Sequence, residues 1–159
     1  MGDGGSTLRI HLLAVPAAAS VVRDRLRRWL GELGWPGPDL DDVVLAVHEA
    51  VSNSVEHGYT GTAPGEVEII GTQVVDGDVQ RARFVVRDDG RWRPPGDPGY
   101  RGRGLLVMRA CMQEVTLTPG DRGTEAVLTS LPVPIRGSRA PALMAVTAVE
   151  VHHLLRRTR

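Results

Sequence analysis

Lysine is missing from this 159-residue chain, and all 19 of its basic side chains are arginines. An arginine-only basic set is what a GC-rich genome produces. It also removes the lysine on which Walker-type phosphate loops and the usual lysine-dependent protein kinases rely. Cysteine occurs once, at Cys111, so no internal disulfide and no cysteine-based metal site can form. Its neighbours, from Leu105 to Met112, read as those of a buried helix residue. Excess charge of one sign is absent too: 19 acidic residues balance the 19 basic ones. That argues against a nucleic-acid binder driven by bulk charge. No apolar run approaches a membrane span. Met1 to Ser6 lack the charged-then-apolar order of a secretory signal. These features together point to the cytoplasm, with no membrane and no direct nucleic-acid partner.

What is present fits one soluble domain. Apolar residues make up 42% of the chain and charged ones 24%, the balance of a globular protein with an ordinary core. Residues 1–6 read as a short disordered leader. A strand is expected over Thr7 to Ala14, then a helix over Ala17 to Gly34 with Val22, Leu26, Trp29 and Leu30 at helical spacing. Trp35-Pro36-Gly37-Pro38 breaks that helix. A second helix is expected near Asp39, its candidate N-cap, running to Gly58 with Val43, Val44, Val47, Val51 and Val55 as its apolar stripe. Glu66 to Val75 and Val79 to Arg87 read as a hairpin around Asp76-Gly77-Asp78. Asp88 to Gly104 is a Gly-, Pro- and Arg-rich loop. Leu105 to Met112 is a short helix. Glu114 to Thr118 and Thr124 to Leu131 form a second hairpin, and Pro132 and Pro134 end the sheet. A last helix is expected over Ala142 to Arg156. This order predicts an α/β (α+β) sandwich: one mixed, mostly antiparallel, five-stranded sheet with helices on one face. It does not supply the repeated parallel crossovers of a doubly wound nucleotide fold.

Four short motifs carry chemistry. On the second helix Glu49, Asn53 and His57 recur every four residues and share one face. A polar stripe opposite the valines is the bland explanation. A carboxylate one turn before a carboxamide also suits magnesium chemistry, the amide oxygen as ligand and the carboxylate as proton acceptor. Asp88-Asp89-Gly90 closes a strand. A carboxylate there can accept from an exocyclic amine such as that of adenine, with Gly90 allowing close approach of the backbone. Arg101-Gly102-Arg103-Gly104-Leu105 places glycines just before a helix, where backbone N–H groups face an anion. Gly123-Thr124 enters the last strand with a hydroxyl able to support a ligand.

Each motif alone is unspecific, but the ordered set resembles the GHKL (Bergerat-fold) ATP-binding domains. It looks most like the anti-sigma-factor serine kinases of bacterial partner switching. Glu49-Ala50-Val51-Ser52-Asn53-Ser54-Val55-Glu56-His57-Gly58-Tyr59 is similar to that family's N-box. Asp88-Asp89-Gly90 and Gly102-Arg103-Gly104-Leu105 are similar to its first and second glycine boxes, and Gly123-Thr124 to its closing box. The resemblance spans residues 7–131 and implies a GHKL domain over 7–134, followed by a helical extension over 135–159.

The resemblance implies ATP and Mg2+ as cofactors and assigns roles residue by residue. Glu49 is the implied general base toward a protein serine, and Asn53 the implied magnesium ligand. His57 belongs to the implied ATP-binding set. Asp88 takes the adenine amine with Gly90 beneath the ring. Gly102, Gly104 and Leu105 belong to the phosphate-binding turn, and Thr124 supports the adenine end. Arg101 and Arg103 are our own candidates for the positive charge that lysine supplies elsewhere. The implied partners are a sigma factor, a small anti-anti-sigma (STAS-type) protein and a second copy in a homodimer. The arginines of the first helix (Arg23, Arg25, Arg27, Arg28) are a candidate partner surface. One departure stands out: Trp92 occupies the position where the first box often has a second glycine. It motivates an alternative, a nucleotide-binding adaptor that sequesters a partner without phosphoryl transfer. The expected ATP lid, Arg91 to Arg101, is short. His152-His153 do not chelate together, because adjacent helix residues point about 100° apart.

Overall fold

The computed structural model describes residues 5–57, 63–90 and 103–137. Period-two alternation builds its sheet. In β2 (Glu66–Asp76) Val67, Ile69 and Gly71 turn inward, and in β3 (Val79–Asp88) Gln80, Ala82, Phe84 and Val86 do so. With β1 (Thr7–Leu13), β4 (Glu114–Gly120) and β5 (Gly123–Thr129), the strand order is β1-β2-β3-β5-β4. Every pairing among the described strands is antiparallel. Beyond the five expected strands, a two-residue β6 (Val133–Pro134) continues along β3 opposite Val79 and Gln80. The sheet therefore runs past Pro132. A proline at this edge is tolerated because only one side of the strand is paired.

Helix α1 (Pro16–Glu32) buries Val22, Leu26, Trp29 and Leu30. It stops at a Schellman turn. Gly34, at φ 77°, donates to Gly31 O, and Trp35 N reaches back to Leu30 O at 3.0 Å. Helix α2 (Gly37–His57) begins two residues before the expected cap. Pro38 falls in its first turn, where a missing N–H costs nothing, and Asp39 sits in that turn as a favourable charge rather than as the cap. Helix α2 lies between α1 and α3 (Arg103–Cys111) and packs on β2, β3 and β5.

The core between helices and sheet centres on Phe84, fully buried, with Trp29 edge-on at 5.9 Å between ring centroids. Gly71 makes room for it: a methyl there would stand 2.8 Å from the Phe84 ring. One buried polar network ties the N-terminal end to this core. Gln80, 0% exposed, accepts from Gln73 Nε2 at 2.7 Å and donates to Leu33 O at 3.0 Å. Gln73 in turn accepts from Ser6 N, and Trp29 Nε1 donates to Ser6 Oγ. Of the expected leader 1–6, residues 1–4 lie outside the described residues. Ser6 is held by this network because buried amides need partners. Likewise Ile135 N donates to Asp78 O, and the stem of Arg136 lies against Gly34, so the start of the expected extension packs on the domain. The expected helix over 142–156 and His152-His153 lie outside the described residues.

Candidate nucleotide-binding site

Two helices supply one half of the site. Glu49 and Asn53, one turn apart and half-buried, stand on α2 where it meets the start of α3. Gly104 is the contact point. A methyl added to it would stand 3.1 Å from Glu49 Oε2, and 3.4 and 3.5 Å from the Asn53 amide nitrogen and oxygen. Only glycine lets the first turn of α3 come this near without displacing those side chains. The N–H groups of that turn lack helical partners and carry the positive end of the helix dipole. A carboxylate, a carboxamide and a row of N–H donors thus meet in one place. This donor set fits a hard divalent cation bound through the Asn53 oxygen beside an anion. Among the described residues no cluster of three or more His, Cys, Asp or Glu is arranged to hold a metal unaided.

The strand ends supply the other half. Asp88 is the last residue of β3, and its register partners are Val67 and Thr124. Its Oδ1 accepts from Gly90 N at 3.1 Å and from Thr124 N at 3.2 Å. Two main-chain donors thereby fix the carboxylate's orientation and leave Oδ2 to accept from a ligand. Gly123, at φ 139°, brings its backbone against Asp88, and a side chain there would run into the Asp88 carbonyl. Residues 58–65 connect α2 to β2, and β2 starts beside Asp88.

Glu49, Asn53 and Gly104 converge, and so do Asp88, Gly90 and Thr124. Thr124 contributes a main-chain N–H to Asp88, a role not read from its hydroxyl. Arg103 opens α3 and is exposed, with interactions of its own. Leu105 packs its side chain against the core, which leaves its main-chain N–H as the group able to face an anion. His57 is the last residue of α2, and its side chain lies outside the description. Arg101, Gly102, Trp92 and Gly58-Tyr59 lie outside the described residues.

Two contributors escaped the sequence reading. Asp89 Oδ1 accepts from Glu66 N at 2.9 Å and bolts the Asp88 turn to the start of β2. The only sequence signal was the second acid in Asp88-Asp89-Gly90. Gly123 was read as part of a box, whereas its work is close approach to Asp88.

A compact ATP-binding domain is the class that this fold and this pair of half-sites define. Residues 12–130 match the family described as Histidine kinase-like ATPase domain, and the chain belongs to that family. It is similar to the serine-protein kinase RsbW of Bacillus licheniformis, 28% identical over 115 residues that cover 64% of this chain and 71% of that protein. It is 26% identical over 136 residues to RsbW of Bacillus velezensis, covering 76% of this chain and 82% of that one. In three dimensions it is similar to the RsbU and RsbW domains of Rv1364c from Mycobacterium tuberculosis. That match has a TM-score of 0.62 and 35% identity, over 84% of this chain and 35% of that larger one. The family match places the chain among histidine kinase-like ATPase domains, and both relatives are named serine-protein kinases. No helix among the described residues is long and apolar enough to cross a membrane.

Proposed function

We propose that this protein is an ATP-dependent serine kinase that is also an anti-sigma factor. It phosphorylates a serine on a STAS-type anti-anti-sigma protein and holds a sigma factor when that antagonist is phosphorylated. The observation that carries this reading is the convergence of Glu49, Asn53 and Gly104 at the start of α3. Phosphoryl transfer needs positioning and charge neutralisation more than covalent chemistry. Magnesium, when bound, would neutralise phosphate charge. Asn53 would hold it through the amide oxygen. Glu49 would take the serine proton, Asp88 Oδ2 would accept from the adenine amine, and the α3 N–H groups would orient the phosphates. A homodimer belongs to this reading. Supporting it are the family match and the RsbW relatives.

The test is transfer of labelled phosphate from MgATP to an antagonist serine. Glu49→Gln should lower transfer by about 10²–10⁴-fold, the usual worth of a general base, with ATP affinity kept within about threefold. Unchanged transfer would remove Glu49 from the chemistry. The tryptophan at position 92, where a glycine is common, favours the adaptor as second reading. Nucleotide binding and partner capture with no transfer to any partner would decide for it.

A further inference from the structure

The proposed kinase chemistry restricts where a substrate protein can sit. A general base works within about 2.6–3.2 Å of the group it deprotonates, or through one water. The acceptor serine therefore has to reach Glu49 on the surface of α2. The helix neighbours of Glu49 are the residues three and four positions away: Leu45, Ala46, Ser52 and Asn53. Ala46 is fully buried. Asn53 stands on the α3 side, where Gly104 closes against it and Glu49. The remaining two, Leu45 exposed and Ser52 half-buried, flank Glu49 on its open side.

Among the described residues of α2, Leu45 is the only large apolar side chain that is exposed, at 44%. Val44 and Val47 beside it are buried. A lone surface leucine is ordinary in a soluble protein. This one stands a turn before the proposed base, where it touches whatever brings a hydroxyl to that base. His48 lies three residues after Leu45 and four before Ser52, so the three form one stripe along the helix. Its Nδ1 is sealed from water and has no partner among the described residues. That leaves Nε2 as the ring nitrogen able to meet a docked protein.

We propose that Leu45, His48 and Ser52 form the docking surface for the protein whose serine Glu49 deprotonates, with Leu45 as the specificity contact. The inference rests on the kinase reading and adds to it the face by which the substrate enters. It also defines the substrate's chemistry. Residues at i and i+4 of a helix stand about 5–6 Å apart at Cβ. An acceptor that seats its serine on Glu49 therefore holds an apolar side chain at about that distance from the serine, packed on Leu45. On a protein surface this is a residue adjacent to the serine or one helical turn from it. A charged side chain at that place would be desolvated against leucine with no partner, which selects against acceptors that carry one.

The test uses the full chain and purified STAS-domain proteins of the same genome, each with its serine intact and with that serine replaced by alanine. The alanine forms report docking without turnover, by calorimetry in MgATP. The serine forms report kcat and KM for phosphate transfer. Leu45→Glu should weaken docking and raise the KM for the acceptor by about tenfold or more, the loss expected when an interface anchor becomes a charge. Its kcat at saturating acceptor and its KM for ATP should stay within about twofold, because the contact contributes uniform binding of the protein substrate. Leu45→Ala, which adds no charge, should weaken docking by about three- to tenfold. Val74→Glu places the same charge on a residue 43% exposed, at the end of β2 remote from Asp88. It should leave every value unchanged. Arginine in place of the apolar residue beside the serine should recover about fivefold of the affinity lost in Leu45→Glu, by pairing with the new carboxylate. The rise in melting midpoint with MgATP confirms that each variant is folded and binds nucleotide.

Equal affinity and equal KM for Leu45→Glu and the native chain overturn the docking surface and leave the kinase reading standing. An equal loss in Val74→Glu overturns it as well. No rescue from any apolar position within about four residues of the serine, one helical turn, overturns Leu45 as the specificity contact. Docking that Leu45→Glu weakens, without phosphate transfer by the native chain, supports the surface and removes the kinase step. A native chain that neither binds nor phosphorylates any of these proteins overturns both readings together.

Discussion

Gly104 and Gly123 both sit where a backbone comes close to a residue of the candidate site, yet they differ in what a methyl would meet. At Gly104 the neighbours are the ends of two side chains, Glu49 Oε2 and the Asn53 amide, which can give by a few tenths of an ångström. At Gly123 the neighbour is the Asp88 carbonyl, and φ is 139°, a conformation that side chains rarely adopt. Gly104→Ala should therefore leave the melting temperature nearly unchanged and lower phosphate transfer by about 10–100-fold, the scale of loss when reacting groups are misplaced. Gly123→Ala should destabilise the fold by roughly 1–3 kcal/mol and weaken nucleotide binding as well, because it displaces the carboxylate at β3's end. Parallel melting and transfer measurements separate the two. Cys111 offers a third measurement at this scale. Burial, then the Asp42 charge, disfavour its thiolate and raise the thiol above its ordinary range. The thiolate is the reactive form. Alkylation by a neutral reagent at pH 8 should thus be slower than for a free cysteine, with its midpoint at higher pH. Asp42→Asn should shift that midpoint down.

Helix and strand periods were legible in the sequence because each follows from local spacing. The valines of α2 and the alternation in β2 and β3 follow those periods and place the elements. Element ends were less legible, because tertiary partners set them. Asp39 reads as an N-cap, but Pro38 in the first turn lets α2 start earlier, with Leu40 N donating to Pro36 O at 2.8 Å. Pro132 reads as the end of the sheet, yet β3 offers a free edge at Val79 and Gln80 that Val133 and Pro134 occupy. The network through Gln73, Gln80 and Ser6 was invisible for the same reason, since its members are 7 and 67 residues apart. The central element is β3, paired on both sides and carrying the chain's one phenylalanine. Phe84 is fully buried, with its ring edge-on to Trp29 and close over Gly71. Phe84→Ala leaves a cavity that this rigid surround cannot close. It should cost about 3–5 kcal/mol, read as a drop in the denaturant midpoint with the slope unchanged.

At the scale of the molecule, each half of the candidate site depends on the fold bringing distant segments together. Glu49 and Gly104 meet across 55 positions (104 − 49), and Asp88 and Thr124 bond across 36. The sequence named these residues because four boxes in order are a strong pattern. It could not supply the contacts, such as Thr124 N on Asp88 or Asp89 on Glu66, which depend on strand register. The assembly predicts a linked behaviour of the whole domain. A ligand that binds only the folded chain stabilises it by about 2.7 kcal/mol at a hundredfold excess over its dissociation constant. For a domain of this size each kcal/mol moves the melting temperature by roughly 2–4 °C. MgATP at that excess should therefore raise the midpoint by roughly 5–11 °C. Both halves of the site must contribute. Asp88→Asn removes the acceptor proposed for adenine and should abolish most of the shift with or without metal. Chelating magnesium should remove part of the shift in the native chain. In Asn53→Ala the chelator should change nothing, because the amide that would hold the ion is gone. If the shift is the same for Asn53→Ala and the native chain, and falls equally on chelation, the metal lies elsewhere and the α2–α3 half of the site is misassigned.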